Sequence, residues 1–197
     1  MEKRIPASGS RILRLPAPPG ISSVPPPVIE SVPPHPDNVH LQFARGWLEL
    51  GDVAEAEAEL RNIRPQYSGC PDVLEVRFQV LARRQCYGEA LAIAEQQVAD
   101  FPLDFRGHMN RGNALFWLDR SQEAIDSVMT ILEAHPKVAA LPYNLACYWM
   151  KLNQTEEAVR WLETAMRVGQ RKGVLQHALA DPDLRPIWDY IRKLDEE

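Results

Sequence analysis

The chain has 197 residues, of which 45% are hydrophobic and 25% are charged, and its net charge is −5. These fractions are typical of a globular protein of one or two domains, and the negative charge argues against the broad basic surface that nucleic-acid binding requires. The sequence contains no apolar run of about 18 residues, so no membrane-spanning helix is expected, and its three widely spaced cysteines favour free thiols in a reducing compartment.

The first 36 residues are predicted to form a proline-rich, flexible arm. They contain ten of the 17 prolines, with runs at residues 24–28 and 32–36. Proline lacks a backbone N–H and disfavours helix, so an extended chain that serves as a tether is expected. The PxxP spacing at residues 16–19 also fits a ligand of a proline-recognition domain. A third possibility is that the arm lies in the protein's own groove, since proline-rich chains bind aromatic-lined surfaces at low entropy cost.

The dipeptide Glu-Ala recurs at a fixed interval of 34 residues, which indicates a repeat architecture. Its four copies begin at Glu55, Glu89, Glu123 and Glu157. This period divides the chain into units 37–70, 71–104, 105–138 and 139–172. A stack of such units has no built-in reaction centre, but it offers a long curved surface to another chain.

Each unit is predicted to contain two helices joined by a tight turn. In the fourth unit, Leu145, Trp149 and Leu152 are spaced i, i+4, i+7 and share one face of the first helix. Gly51 and Asn153 fall between the two helices of their units, and both residue types tolerate the left-handed conformation that ends a helix.

The apolar columns of the repeat predict that the two helices cross closely. Positions 8, 20 and 24 of the unit hold small or medium residues and position 11 holds large ones, and a packed core tolerates little extra volume. Position 8 is Ala44, Gly112 or Ala146 in three of the units. The second unit departs from this rule with Phe78.

Residues 173–197 lie beyond the fourth unit and are predicted to form a helical cap, which stacked repeats need at their ends. A short helix is expected at residues 174–180. Asp183 can cap a second helix. Asp181 and Asp183 are interpreted as turn residues, without the neighbours that acid–base chemistry or a metal site requires.

This pattern resembles the tetratricopeptide repeat family, whose 34-residue helix-turn-helix unit has small residues at positions 8 and 20, a bulky residue at 11 and proline at 32. The segment at residues 143–149, followed by Glu157 and Ala158, matches the family best. The resemblance implies an all-α fold. The expected architecture is a right-handed α-solenoid of about four helix pairs, with a C-terminal helical cap and a proline-rich N-terminal arm.

In this family the first helix of each unit lines a concave groove. Carried over to this chain, the resemblance implies peptide-binding residues mainly in the third and fourth units. These residues are Arg83, Arg106, Met109, Asn110, Asn113, Phe116, Trp117, Tyr143, Asn144, Met150 and Lys151. Aromatic residues and Met are enriched at interface hot spots, and asparagine can pair with an extended backbone. The alternative for Phe116 and Trp117 is packing against the N-terminal segment or the next unit.

Asn113 and Asn144 stand where co-chaperones of the family carry two asparagines that clamp the carboxylate of a partner's C-terminus. Met109 replaces the lysine of that clamp, and no further unit supplies its remaining basic residues. A neutral extended peptide or a helical partner therefore fits the groove better.

We predict a non-catalytic, cytoplasmic scaffold or adaptor that binds an extended peptide or helix of another protein in its concave groove. No cofactor, metal, nucleic acid, membrane or small-molecule substrate is expected, because the sequence shows no nucleophile motif and no phosphate-binding loop. His108 is expected to be a packed core histidine. Two alternatives remain: a structural subunit of a larger complex, and a secretion chaperone or co-chaperone-like protein that binds a client.

Overall fold

The structure is a computed structural model that describes residues 31–195, and all regular structure in this range is helical. The four helix pairs are Asp37–Glu49 (α1) with Val53–Arg61 (α2), Pro71–Arg83 (α3) with Tyr87–Asp100 (α4), Phe105–Trp117 (α5) with Ser121–Leu132 (α6), and Ala140–Lys151 (α7) with Thr155–Val168 (α8). Arg171–Ala180 (α9) and Trp188–Asp195 (α10) follow, and short 3-10 helices lie at Pro65–Tyr67 and Pro182–Ile187. The all-α prediction is confirmed. Most of the proline-rich arm, including the PxxP spacing, lies outside the described residues.

The turn inside each helix pair has the same backbone conformation in all four units. Gly51, Gln85, Asp119 and Asn153 have φ between 59° and 83°. The residue that follows each of them donates its N–H to the carbonyl oxygen five residues earlier, at 2.9–3.0 Å, which closes the preceding helix. The left-handed turns predicted at Gly51 and Asn153 are therefore confirmed.

The helices stack in chain order. Each helix packs against its partner in the pair, and α2, α4 and α6 pack against the first helix of the next unit. The first helices α1, α3, α5 and α7 also contact one another in succession, so together they form one continuous surface. Leu115, Leu145 and Leu162 are fully buried in the main core, which runs from α3 to α10.

Gly112 allows α7 to cross α5 at close range. A Cβ atom at Gly112 would lie 2.9 Å from the Tyr148 hydroxyl oxygen and 3.1 Å from Val128. Tyr148 is fully buried, and its hydroxyl is bonded to Asn113, so moving the ring would break a hydrogen bond and disturb packed neighbours. The close crossing predicted at position 8 concerned the two helices of one unit, and Gly112 allows it through the contact with Val128 of α6. The still closer approach of Tyr148 from α7 of the next unit was not part of that prediction.

The C-terminal segment differs from its prediction in one respect. The chain after Ala180 forms a 3-10 helix before α10 begins, and its cap is Asp181, whose Oδ1 accepts the Asp183 N–H at 2.9 Å. Asp181 takes the capping role because its carboxylate reaches the free N–H of Asp183, and Pro182 between them has no N–H to satisfy. This segment, α9 and α10 contact one another, and they pack on α7 and α8.

Asp72 at the start of α3 joins three helix pairs. Its Oδ2 accepts from Arg45 of α1 at 2.8 Å, and its Oδ1 accepts from Arg106 of α5 at 2.8 Å. Arg106 also donates to Asp104 at 2.7 Å. Partial burial raises the pKa of the Asp72 carboxyl, but the hydrogen bonds from Arg106 and Arg45 outweigh it and hold this pKa below its ordinary value.

We expect Gly112→Ala to lower the free energy of unfolding by about 1–3 kcal/mol, because the added methyl group displaces Tyr148 or α5. Gly46→Ala is the matched control, since it also lies inside a helix but has nothing within 4 Å of the added Cβ. That change should raise the free energy of unfolding by about 0.5–1 kcal/mol. Urea denaturation measures both, and equal effects of the two substitutions would contradict the close crossing.

We also expect Asp72→Asn to flatten the dependence of thermal stability on pH. Because the folded pKa of Asp72 lies below its unfolded value of about 3.9, its contribution is fully present above that pH and is lost as the pH falls through the folded pKa. The difference in melting temperature between wild type and variant should thus be largest near neutral pH and shrink in acid. Asp126→Asn, at an exposed position of α6, is the control. If the difference in melting temperature between wild type and Asp72→Asn stays constant with pH, the Asp72 carboxylate does not stabilise the fold through these ion pairs.

Candidate functional site

A cleft of about 420 Å³ opens between α5, α7 and the C-terminal segment. We call it the α5–α9 cleft. On one side it is lined by Asn113, Phe116, Trp117, Tyr143 and Asn144 of α5 and α7. The other side is built by Val174 and His177 of α9, by Asp181 after it, and by Asp183 of the following 3-10 helix. Its volume and its mixture of rings with a few polar groups are those of ligand-binding pockets.

A pair of amides lies in the cleft. The Asn144 Nδ2 donates to the Asn113 Oδ1 at 3.2 Å, and the Tyr148 hydroxyl donates to the same oxygen at 2.6 Å. The amide plane of Asn113 is therefore fixed from two directions. Among residues 31–195 the Asn113 Nδ2 has no hydrogen-bond partner, so this donor is available to a bound chain.

The aromatic rings of the cleft are held by neighbouring units. Phe116 packs on the Tyr148 ring at 5.3 Å between centroids, and the Lys151 ammonium lies 4.5 Å from the Phe116 centroid. Trp117 packs on Tyr87 at 5.2 Å and on Phe78 at 6.1 Å. Phe116 thus packs against the next unit, as the alternative interpretation expected, whereas Trp117 packs against the preceding unit. Both rings also line the cleft.

The C-terminal wall is attached to α7 by Asp181. Its Oδ2 accepts from the Tyr143 hydroxyl at 2.7 Å and from the Cys147 thiol at 3.6 Å. Burial raises the pKa of both Tyr143 and Cys147, and the contact with Asp181 adds to this effect. Both groups therefore stay protonated near neutral pH and act as hydrogen-bond donors. Cys147 is not an activated nucleophile.

The wall also carries a second carboxylate and a histidine. Burial raises the pKa of Asp183, and the neighbouring Asp181 raises it further. The His177 ring packs on Tyr143 at 5.0 Å between centroids. His177 and the two aspartates therefore line the same cleft, and within residues 31–195 the structure shows no hydrogen bond between the ring and either carboxylate. In the part of the chain that the structure describes, no group of three or more His, Cys, Asp or Glu residues is placed to hold a metal ion.

Five of the residues predicted to bind a peptide line the cleft: Asn113, Phe116, Trp117, Tyr143 and Asn144. Two others lie towards the N-terminal units and bond within the protein. Arg83 donates to the Leu48 carbonyl oxygen, and Arg106 belongs to the Asp72 ion pairs.

The remaining four predicted residues are placed differently. Asn110 is 3% exposed and donates to Glu75 at 2.7 Å and to Gln97 at 3.0 Å. Met150 is buried and Met109 is half-buried against the main core. Lys151 bonds the Phe116 carbonyl oxygen and Asp119. A role in peptide binding stays a prediction for all of these residues.

The predicted core histidine is confirmed. His108 is buried, and its ring nitrogens bond the carbonyl oxygens of Ser127 at 3.2 Å and Pro102 at 3.1 Å. The ring therefore joins α5 to α6 and to the loop before α5, and it lies outside the cleft.

The C-terminal wall is the part of the site that the sequence prediction missed. The 34-residue period does contain a signal for this wall. When the 34-residue count continues past residue 172, the groove positions 2, 5 and 9 of a fifth unit fall on Val174, His177 and Asp181. Residues 173–197 therefore both cover the last helix pair and continue the groove positions of the repeat.

Every helix in the described range is too short or too polar to traverse a lipid bilayer. No protein-family model matches the chain, and no curated protein matches it in sequence.

Solved structures with the same arrangement of helices are known. A thermophilic tetratricopeptide repeat protein from Thermus thermophilus is 16% identical, with a TM-score of 0.69 over 81% of this chain and 85% of that one. MamA from Desulfovibrio magneticus RS-1 is 18% identical, with a TM-score of 0.61 over 81% and 93%. A MamA structure designated MSR-1 is 22% identical, with a TM-score of 0.55 over 69% and 78%. The chain therefore has a tetratricopeptide-repeat-like fold.

Proposed function

We propose that the protein is a non-catalytic scaffold that binds an extended segment of another protein in the α5–α9 cleft. The observation that carries this proposal is the cleft itself, an opening of about 420 Å³ on the surface formed by the first helices. The predicted cytoplasmic location belongs to this proposal.

The side chains of the cleft are held in place before a ligand arrives. Asn113 is fixed by Asn144 and Tyr148, and Tyr143 is fixed by Asp181. Binding therefore costs little side-chain ordering, which favours affinity for a flexible peptide. The buried, protonated Tyr143 and Cys147 support binding over chemistry, since neither is activated as a nucleophile.

An extended segment fits the polar groups of the cleft. The Asn113 Nδ2 can donate to a backbone carbonyl oxygen of the ligand, and the rings of Trp117 and Phe116 offer apolar surface to its side chains. Asp181 and Asp183 make the C-terminal end of the cleft acidic. A ligand with a basic or neutral end at that wall is therefore favoured over an acidic one.

Peptides that bind the wild-type protein can be selected from a displayed random library. We expect their affinity for the double variant Asn144→Ala/His177→Ala to be about tenfold or more lower than their affinity for wild type. The variant removes one amide of the pair and the ring that packs on Tyr143, and hot-spot truncations of this kind cost about 1–2 kcal/mol or more. Fluorescence polarisation of labelled peptides measures the affinity.

The matched control is Asn62→Ala/His35→Ala, which makes the same changes at exposed positions outside the cleft. It should leave the affinity unchanged. Circular dichroism checks that all variants keep their helices. Selected peptides that bind the cleft variant as tightly as wild type would refute the cleft as the binding site.

One further observation favours the second candidate, a structural subunit of a larger complex. Phe43 is 55% exposed and Leu50 is 78% exposed, and with Trp47 they line a hollow of about 360 Å³ on α1. No helix pair precedes α1 within the described residues, so the apolar outer face of this helix stays open.

If the chain assembles through this face, Phe43→Ser/Leu50→Ser should convert an oligomer into a monomer, because it removes most of the exposed apolar surface there. Light scattering of the purified protein over a range of concentrations measures the mass. The control Leu103→Ser removes an equally exposed leucine from the loop before α5. If wild type and variant are both monomeric, self-assembly through α1 is excluded.

A further inference from the structure

The ionised side chains that line the α5–α9 cleft have one sign of charge. Among the described residues of its lining, Asp181 and Asp183 are the only acidic ones, and no lysine or arginine is present. Both aspartates lie on the C-terminal wall, whereas α5 and α7 contribute neutral side chains to the opposite side. Because a cleft concentrates the field of its charged groups, a cationic group of a ligand is attracted to this wall.

The two aspartates differ in the acceptor oxygens that they leave free. Asp181 accepts from the Tyr143 hydroxyl at 2.7 Å and from the Cys147 thiol at 3.6 Å with its Oδ2, and from the Asp183 N–H at 2.9 Å with its Oδ1. Within residues 31–195 no donor bonds to either side-chain oxygen of Asp183, which is exposed. Asp183 therefore presents a carboxylate with two free oxygens to a ligand.

The charge of this carboxylate is not balanced by a bonded cation within the described residues. Burial raises the pKa of Asp183, the charge of Asp181 raises it further, and the charge of Lys151 lowers it by less. The Lys151 ammonium bonds other groups, Asp119 at 2.6 Å and the Phe116 carbonyl oxygen at 3.1 Å. A cationic group of a ligand bonded to Asp183 would offset the repulsion between the two aspartates.

Two free oxygens on one carboxylate match the guanidinium group of arginine. This planar group donates two parallel hydrogen bonds to a carboxylate, whereas the ammonium group of lysine is a compact point charge. Guanidinium also stacks on aromatic faces and is more weakly hydrated. Rings stand beside this wall, since Tyr143 bonds Asp181 and the exposed His177 ring packs on Tyr143 at 5.0 Å between centroids. The carboxylate and the rings together favour arginine over lysine.

We propose that the ligand of the α5–α9 cleft is an extended protein segment that carries an arginine, whose guanidinium group bonds the Asp183 carboxylate at the C-terminal wall. The Asn113 Nδ2 donates to a backbone carbonyl oxygen of the same segment. This inference rests on the proposed function, because it gives the chemistry of the ligand in that same cleft. The two sides of the cleft then have different tasks: the amide and the rings hold an extended chain, and Asp183 selects its side chain.

Parallel peptide selections test the preference for arginine. A displayed random peptide library is selected against wild type and against Asp183→Asn, which should fold as wild type does because no described donor bonds to this side chain. Sequencing should show arginine enriched several-fold over the unselected library with wild type, and no such enrichment with the variant. Asp126→Asn on the outer helix α6 is the matched control and should give the wild-type enrichment.

The selections separate a failure of this inference from a failure of the proposed function. Selected peptides without arginine enrichment, lysine enriched as strongly as arginine, or equal arginine enrichment with wild type and Asp183→Asn would each overturn the inference and leave peptide binding by the cleft in place. If wild type selects no peptide at all, the proposed function is refuted and the inference falls with it.

A double-mutant cycle tests the contact between arginine and Asp183. In one selected peptide the arginine is replaced by citrulline, which has nearly the same shape but no charge. We expect this change to weaken binding to wild type about tenfold and binding to Asp183→Asn by less than about twofold, because the charge-assisted contact is already lost there. Fluorescence polarisation measures the four affinities. Equal losses with the two proteins would overturn the contact with Asp183.

Discussion

The geometry of the cleft depends on the close contact between Tyr148 of α7 and α5, which Gly112 permits. Tyr148 is fully buried, and its hydroxyl donates to the Asn113 amide oxygen at 2.6 Å. The same oxygen accepts from Asn144, and the Tyr148 ring supports Phe116. One missing Cβ atom therefore sets the position of the amide pair and of an aromatic ring at once. A side chain at residue 112 would therefore lower both the free energy of unfolding and the affinity of the cleft for a ligand.

The C-terminal segment does more than cover the last helix pair. Asp181 caps the 3-10 helix with one carboxylate oxygen and accepts from Tyr143 and Cys147 with the other. This double use fixes the second wall of the cleft relative to α7. It also leaves Asp183 beside it as the carboxylate that a ligand can meet, since within the described residues no donor bonds to the side-chain oxygens of Asp183.

The fold was predictable from the sequence because the patterns that indicate it lie within each unit and recur from one unit to the next. Glu-Ala at intervals of 34 residues, glycine or asparagine at two of the turns, and small residues at position 8 each favour the same helix pairs. Aspartate also tolerates the left-handed conformation, so Asp119 fits the same rule, but Gln85 does not. The conformation of Gln85 follows from the repeated stacking of the units, which overrides local preference.

The cleft was predictable only in part. The groove positions of the repeat identified Asn113, Asn144 and the rings around them, but not that Asn110 and Met150 are buried between helices. Burial depends on how neighbouring units pack, and the period alone does not contain that information. The C-terminal wall was missed for a different reason, since His177 and Asp181 come together with Tyr143 only when the chain returns after α8.

We propose that a protein ligand binds on the first-helix surface between α5 and α9. The most direct test is to follow the backbone amide resonances of the full chain by NMR while a selected peptide is titrated. Changes concentrated at the cleft residues of α5, α7 and α9 are the predicted result. Changes concentrated on the outer helices α4, α6 and α8, or on the exposed face of α1, would contradict it.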